Sequence, residues 1–432
     1  MKKLFAGLLA VAMLAGCGGS TTSNTGTETG GESTGGGSSE TISLVLWGAE
    51  EDQTLLKNLV EEFKAAYPDN TFDIQIGVES ESTAKDTILT DVEAAADVFA
   101  FADDQLPDLV DAGALQPLNS DMDAVLQAQA GKSIADVKAA NVEVSVSDAT
   151  YNDTLYAFPM SADNGYFLYY DSTIFSEDDV KTWDSLLAKA AEAGGGKKVG
   201  MTFASGWYNA GFFYGAGFTT GRNADGTTTI DWNGTSADGV KGTDVVLAMS
   251  AIAKDPAFMA IADGDISNQI NSGNVCAVVS GTWDATAVQD AFGDGYAATV
   301  LPTYTAGDKQ IQTGSVGGCK LVGVNAYSKN TGWAVLLADF ITNENSQVER
   351  FNARQIGPSN KKAQASGDVQ ANTAIAAVLA QSQFAVIQKV GGNYWGPAGT
   401  FGENIAQGNI SDEAAAQAAL DEMVAGVTAP VQ

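Results

Sequence analysis

Residues 41–78 read TISLVLWGAEEDQTLLKNLVEEFKAAYPDNTFDIQIGV and change periodicity twice. Thr41–Trp47 is short, apolar and β-branched at its start, which marks a buried strand. Gln53–Ala66 sets Leu55, Leu56, Leu59, Val60 and Phe63 at helical spacing, and Pro68 stops it. Thr71–Val78 returns to a strand. Working outward, Ala84–Ala95 reads as a helix, Asp97–Phe101 (DVFAF) as a third strand and Leu106–Ala112 as a short helix ended by Gly113. Strand, helix, strand, helix, strand predicts a mainly parallel sheet flanked by helices, because parallel neighbours need a crossover long enough to hold one. The fold class is α/β.

The pattern continues along the chain. Tyr151–Pro159 is hairpin-like, with Asn152-Asp153 as its turn, and Tyr166–Tyr170 (YFLYY) is a strand. Trp183 opens a helix that runs to Ala193 and stops at Gly194–Gly196, so this tryptophan reads as structural. Asp225-Gly226, between Arg222 and Ile230, is a hairpin turn. Val275–Ser280, Ala298–Leu301 and Leu321–Asn325 are strands, Trp333–Thr342 is a helix, and the tail from Ala371 is mostly helical. No internal repeat is present.

Upstream of Thr41 the chain is of another kind. Lys2 and Lys3 are followed by the apolar run Leu4–Leu14, which is too short and too early to span a bilayer. Leu14-Ala15-Gly16-Cys17 ends it, and a small residue before a cysteine is where a lipoprotein signal peptidase cuts. Residues 1–16 therefore read as a lipoprotein signal peptide and Cys17 as the lipid attachment, the alternative being an ordinary secretory signal with an incidental cysteine. Residues 18–40 are almost entirely Gly, Ser and Thr, a composition that cannot bury apolar surface. The lipidated Cys17 and this tether, residues 17–40, would hold the body off the outer face of the cytoplasmic membrane by roughly 25–30 Å.

Roughly 390 residues remain, which suits two domains. The chain has 22 basic and 53 acidic residues, a net charge of −31. Loss of Lys2 and Lys3 leaves 20 basic residues and −33. No basic patch offers itself to phosphates, so nucleic acid is excluded as a partner, as is charge-driven binding to anionic lipid. A neutral ligand is indifferent to such a field, whereas a small cation would gain from it. Histidine is absent, which removes Ser-His-Asp and Cys-His catalysis and nearly all catalytic zinc sites. Cys276 and Cys319 remain after lipidation, as one disulfide or as two buried thiols. No metal or cofactor is expected.

Several strings now agree on one family. Trp47 stands before a polar loop; Ala96-Asp97-Val98-Phe99 precedes Phe101-Ala102-Asp103-Asp104. Leu155-Tyr156-Ala157-Phe158-Pro159 comes before Tyr169-Tyr170-Asp171 and Lys181-Thr182-Trp183. Gly281-Thr282-Trp283 is followed by Val300-Leu301-Pro302, and Tyr394-Trp395 by Asn404-Ile405-Ala406. With this order and spacing the chain resembles the extracellular solute-binding proteins of ABC importers, of the type that includes the maltose/maltodextrin-binding proteins. The resemblance implies two discontinuous lobes, an N-lobe from 41–160 plus 321–365 and a C-lobe from 164–318 plus 371–432. They would be joined by a hinge near Ser161, Cys319 and Gly367. It also implies a monomeric receptor that closes on a ligand and presents it to the importer's membrane subunits.

Sugar rings have two weakly apolar faces and polar edges, so their sites pair aromatic plates with carboxylates and amides. By resemblance the stacking positions are Phe101, Trp207, Tyr208, Trp283 and Trp395, and the polar partners are Glu51, Asp104, Gln105 and Asp163. Gln105 stands where the family has an arginine, and the loop of Glu51 and Asp52 lacks the family's lysine. With Trp207 and Tyr208 counted as one loop, four stacking stations point to an oligosaccharide, with a malto-oligosaccharide first. Two rivals stay open: a surface glycosidase using carboxylates in an aromatic cleft, and a receptor of the same fold for a polyamine or another cation.

Overall fold

A computed structural model describes residues 41–430; the signal peptide, Cys17 and the tether lie outside the described residues. Ten strands build two sheets: β1 (Ile42–Gly48), β2 (Phe72–Val78), β3 (Val98–Ala102), β4 (Ala157–Ser161), β5 (Tyr166–Asp171), β6 (Lys198–Met201), β7 (Phe258–Ala260), β8 (Val275–Gly281), β9 (Tyr296–Thr299) and β10 (Lys320–Val324). One sheet runs β2-β1-β3-β10-β4 and the other β7-β6-β8-β5-β9. In each order the fourth strand is antiparallel to both neighbours, and the other ladders are parallel. These reversed strands, β10 and β5, are the ones the chain enters directly after passing from one lobe to the other.

Local sequence accounts for most elements. The helix Gln53–Ala66 buries Leu55, Leu56, Leu59, Val60 and Phe63 on one face, and Tyr67 leaves helical backbone ahead of Pro68. Thr182 caps the Trp183–Ala193 helix through a reciprocal bond with Ser185, and Trp183 is enclosed, its Nε1 donating to Thr313 Oγ1 at 3.3 Å. Asn152 and Asp153 both take positive φ, 48° and 64°, in the turn that pairs Tyr151 with Thr154.

Three details differ from the sequence reading. The helix expected to reach Ala95 ends at Thr90, because Asp91 turns out of it and its Oδ1 accepts the Ala94 N–H at 3.3 Å. The strand expected over 298–301 lies at Tyr296–Thr299, since the Leu301 N–H is taken by Gln381 Oε1 at 2.8 Å. In the helical tail, Ala385–Ile387 pairs in parallel with Ser315–Gly317.

Each sheet has its own core. The first collects Leu44, Leu59, Phe63, Phe99, Leu321 and Leu337, and the second Phe167, Trp183, Phe213, Trp232, Val278 and Leu420. Each such side chain contributes about 1.5–3 kcal/mol on leaving water. Cys276 lies in the second core and Cys319 in the first, both as free thiols, so the disulfide alternative falls.

Candidate functional site

Four strands of each sheet share a direction, and ligands of open α/β sheets lie beyond the carboxyl ends of such strands. In the second sheet that edge holds Gly281, the last residue of β8, paired with Tyr166, the first residue of β5. The following turn, Thr282–Asp284, carries the half-buried Trp283. Its ring folds back over Gly281, where a Cβ would lie 2.2 Å from two ring carbons. Asp284 fixes the turn by accepting Ser267 Oγ and Ser280 Oγ at 2.5 Å each. Burial raises the Asp284 carboxyl, and those hydroxyl bonds oppose the rise.

Tyr166 ties in a second aromatic loop. Its hydroxyl donates to the carbonyls of Trp207 at 3.0 Å and Tyr208 at 3.2 Å. The helix Gly206–Gly215 starts here, and Gly206 leaves room for Tyr394 and Ala398, each 2.8 Å from where its Cβ would be. The Tyr394 hydroxyl donates to the Gly206 carbonyl at 2.9 Å, and Trp395 packs edge-on against the Tyr394 ring at 5.2 Å. Trp207, Trp283 and Trp395 thus sit along one edge of the lobe, each half-buried over a buried tyrosine or glycine. Tyr208 is itself buried, and desolvation drives its phenol far above the ordinary range, so it forms a floor rather than a plate.

The first sheet supplies the acids. After β3 the turn Asp103–Gln105 presents the half-buried Asp104, whose carboxyl burial pushes up to about 6 against the opposing pull of Lys85. Asp103 faces inward: its Oδ1 accepts the Cys319 N–H at 2.9 Å and so grips one inter-lobe crossing. Glu51 is exposed on the turn Glu50–Asp52 after β1, while the neighbouring Asp52 is buried and paired with Arg350 at 3.1 Å and Arg354 at 2.6 Å.

Three expected ligand residues are placed otherwise. Phe101 is fully enclosed, 5.7 Å from the Phe99 ring and against Gly323, because the end of β3 is covered on both faces; it belongs to the core and offers no face to a ligand. Gln105 is buried, with Nε2 donating to the carbonyls of Glu81 at 2.7 Å and Ser82 at 3.0 Å and Oε1 accepting the Lys85 N–H at 2.9 Å. Its amide fixes the 79–85 loop and is saturated by it. Asp163 is buried, and its Oδ2 accepts both Thr282 Oγ1 at 2.5 Å and the Gly357 N–H. That carboxylate joins the 161–164 segment to the Trp283 turn and to the 357 segment.

Two basic residues had not been singled out. Lys320, the first residue of β10, lies opposite Ala102 and Ser161. Its Nζ is 5.5 Å from the Trp283 ring centroid and 3.6 Å from Glu81 Oε2. Arg222, beside the Asp225-Gly226 turn, reaches from the second lobe to Asp108 at 2.9 Å and Asp111 at 3.2 Å on the first. Neither carries a local sequence signal; strand register and contacts distant in sequence place them. Among the described residues no group of three or more His, Cys, Asp or Glu side chains could hold a metal ion, and no helix is long and apolar enough to cross a membrane.

Comparison with known proteins agrees with this fold. The sequence profile of a family described as bacterial extracellular solute-binding protein matches residues 58–377. A solved structure with acarbose is 30% identical and superposes with a TM-score of 0.77, covering 90% of this chain and 99% of that one. The maltodextrin-binding protein MalE1 from L. casei BL23, solved without ligand, is 25% identical with a TM-score of 0.72 over 90% of this chain and all of its own. A galactooligosaccharide-binding protein of Bacillus subtilis (strain 168) is 25% identical over 360 residues, 80% of each chain.

Proposed function

This chain belongs to the bacterial extracellular solute-binding protein family, and we propose that it captures a malto-oligosaccharide (an α-glucan) between its lobes and delivers it to an ABC importer by hinge closure. The observation that carries the reading is the row of three half-buried tryptophans on one lobe edge, with Asp104 and Glu51 on the other lobe. Flat indoles take sugar faces and carboxylates take hydroxyls. The 30% identical structure with acarbose and the maltodextrin-binding relative support an α-glucan. The ligand set of this reading is Trp207, Trp283, Trp395, Asp104 and Glu51, over the buried Tyr208, with Asp163 holding the hinge. Catalysis is not part of it. Cys17 carries the lipid, residues 17–40 form the tether, and the monomer waits beside its permease.

A galactooligosaccharide is the second reading, favoured by the Bacillus subtilis relative. Isothermal titration calorimetry of the body from Thr41 onward, with maltotriose, galactotriose, cellotriose, xylotriose and spermidine, separates the cases. One-site binding of maltotriose with no heat from galactotriose supports the α-glucan reading. The reverse selects the second, and binding of spermidine alone overturns both.

A further inference from the structure

The Lys320 side chain is only 15% exposed, yet its ammonium is poorly provided for. An ammonium carries three N–H donors. Among the described residues none of these makes a hydrogen bond; the carboxylate oxygen it pairs with, Glu81 Oε2, is 3.6 Å away, beyond ordinary N–H···O reach. A desolvated charge with idle donors is costly, and the cost falls when a ligand oxygen accepts them.

Its position says which oxygen. Lys320 belongs to the first lobe's sheet, where it faces Ala102, two residues before Asp104. Its charge hangs over Trp283, which belongs to the second lobe. A cation beside an aromatic plate meets the rim of whatever stacks on that plate, and the rim of a sugar is hydroxyl. Gln105 offers no competing donor, since its amide is buried and bonded to the 79–85 loop. From the idle donors, the burial and the aromatic beneath them, we infer that Lys320 is a ligand-binding residue of this receptor, its ammonium donating to the hydroxyls of the sugar unit stacked on Trp283. Glu81 steadies the ammonium from behind without saturating it. The same positive charge disfavours a cationic ligand at this plate. The inference rests on the oligosaccharide reading above.

The test uses the body from Thr41 onward as wild type, Lys320→Met and Lys320→Arg. Each is titrated calorimetrically with the sugars of the panel above, and each ligand-free protein is melted. Lys320→Met keeps the stem and removes the donors, so its affinity for the sugar that wild type binds should fall tenfold or more, with a melting temperature no lower than that of wild type. Lys320→Arg, which keeps charge and donors, should stay within a few-fold of wild type. Equal affinity of Lys320→Met and wild type overturns the inference while leaving the oligosaccharide reading intact. Equal losses in both variants also overturn it, because they mark a packing role. A wild type that binds no sugar sinks the reading and the inference together.

Discussion

Gly281→Ala should disable the Trp283 plate without touching the tryptophan. The new Cβ would stand 2.2 Å from Cη2 and Cζ3 of the ring and 2.6 Å from Cε3. Carbon–carbon contacts settle at about 3.5–4.0 Å, so the indole must retreat by roughly 1.3 Å or more. A radial shift of 0.5–1 Å already forfeits about a quarter to a half of a dispersion contact. Gly281 itself has φ −108°, ψ −171°, extended backbone that alanine adopts freely, so the cost falls on the ring and not on the strand. With a stacked aromatic contributing about 1–3 kcal/mol through the area it buries, the loss should be on the order of 1 kcal/mol, or about fivefold in Kd. Calorimetry with the best sugar of the panel would read it, beside Trp283→Ala as the full loss and a thermal melt of each variant. Wild-type affinity for Gly281→Ala, with Trp283→Ala clearly weakened, would refute the argument that the ring must lie on a glycine to receive ligand.

Arg222→Ala should weaken ligand binding by no more than about fivefold, the ~1 kcal/mol ceiling of a solvent-touched ion pair, and should flatten the salt dependence of Kd; titrations at low and high salt would check it. The raised Asp104 carboxyl binds its proton more tightly folded than unfolded, so its stabilising effect is full at low pH and is lost as pH rises through about 6. Asp104→Asn should therefore melt higher than wild type at pH 7.5 and alike at pH 4, while losing sugar affinity. Phe101→Leu should lower stability by on the order of 1 kcal/mol and leave Kd unchanged, since that ring is core; a shift in Kd with no change in the melt would restore it to the ligand set. Cys276 and Cys319 should resist a thiol reagent in the native body and both react in denaturant, their thiols being buried and burial raising their pKa.

The sequence made the secondary structure readable wherever one period dominated. Gln53–Ala66 shows its apolar stripe at helical spacing, and Asn152-Asp153 and Asp225-Gly226 announce their turns. The aromatic half of the candidate site was visible because Trp207, Trp283 and Trp395 follow Gly- or polar-rich strings that end one element and open the next, and each sits in the first turn of a helical segment. Phe101 misled because its string places it at a strand end, and only the covering of both sheet faces shows that this end is enclosed. Gln105 and Asp163 looked like free polar groups; their partners, the 79–85 loop and Thr282 with Gly357, are distant in sequence. Lys320 was hidden for the same cause, since nothing near it marks a cleft and only the register of β10 against Ala102 brings it there.

The placing of β10 also bears on how this chain comes to be folded. The first sheet has an empty slot between β3 and β4 until residues 320–324 arrive, whereas β5 to β9, residues 166–299, complete the second sheet without interruption. A chain emerging from its N-terminus therefore carries two apolar strand edges, Val98–Ala102 and Ala157–Ser161, exposed through the synthesis of the whole second sheet. Such edges are templates for wrong partners, and contacts this far apart in sequence form slowly. The sheet that begins first closes last, which leaves the emerging polypeptide loose for longer than its length alone would require and makes it a natural client for any holding factor that binds apolar strands.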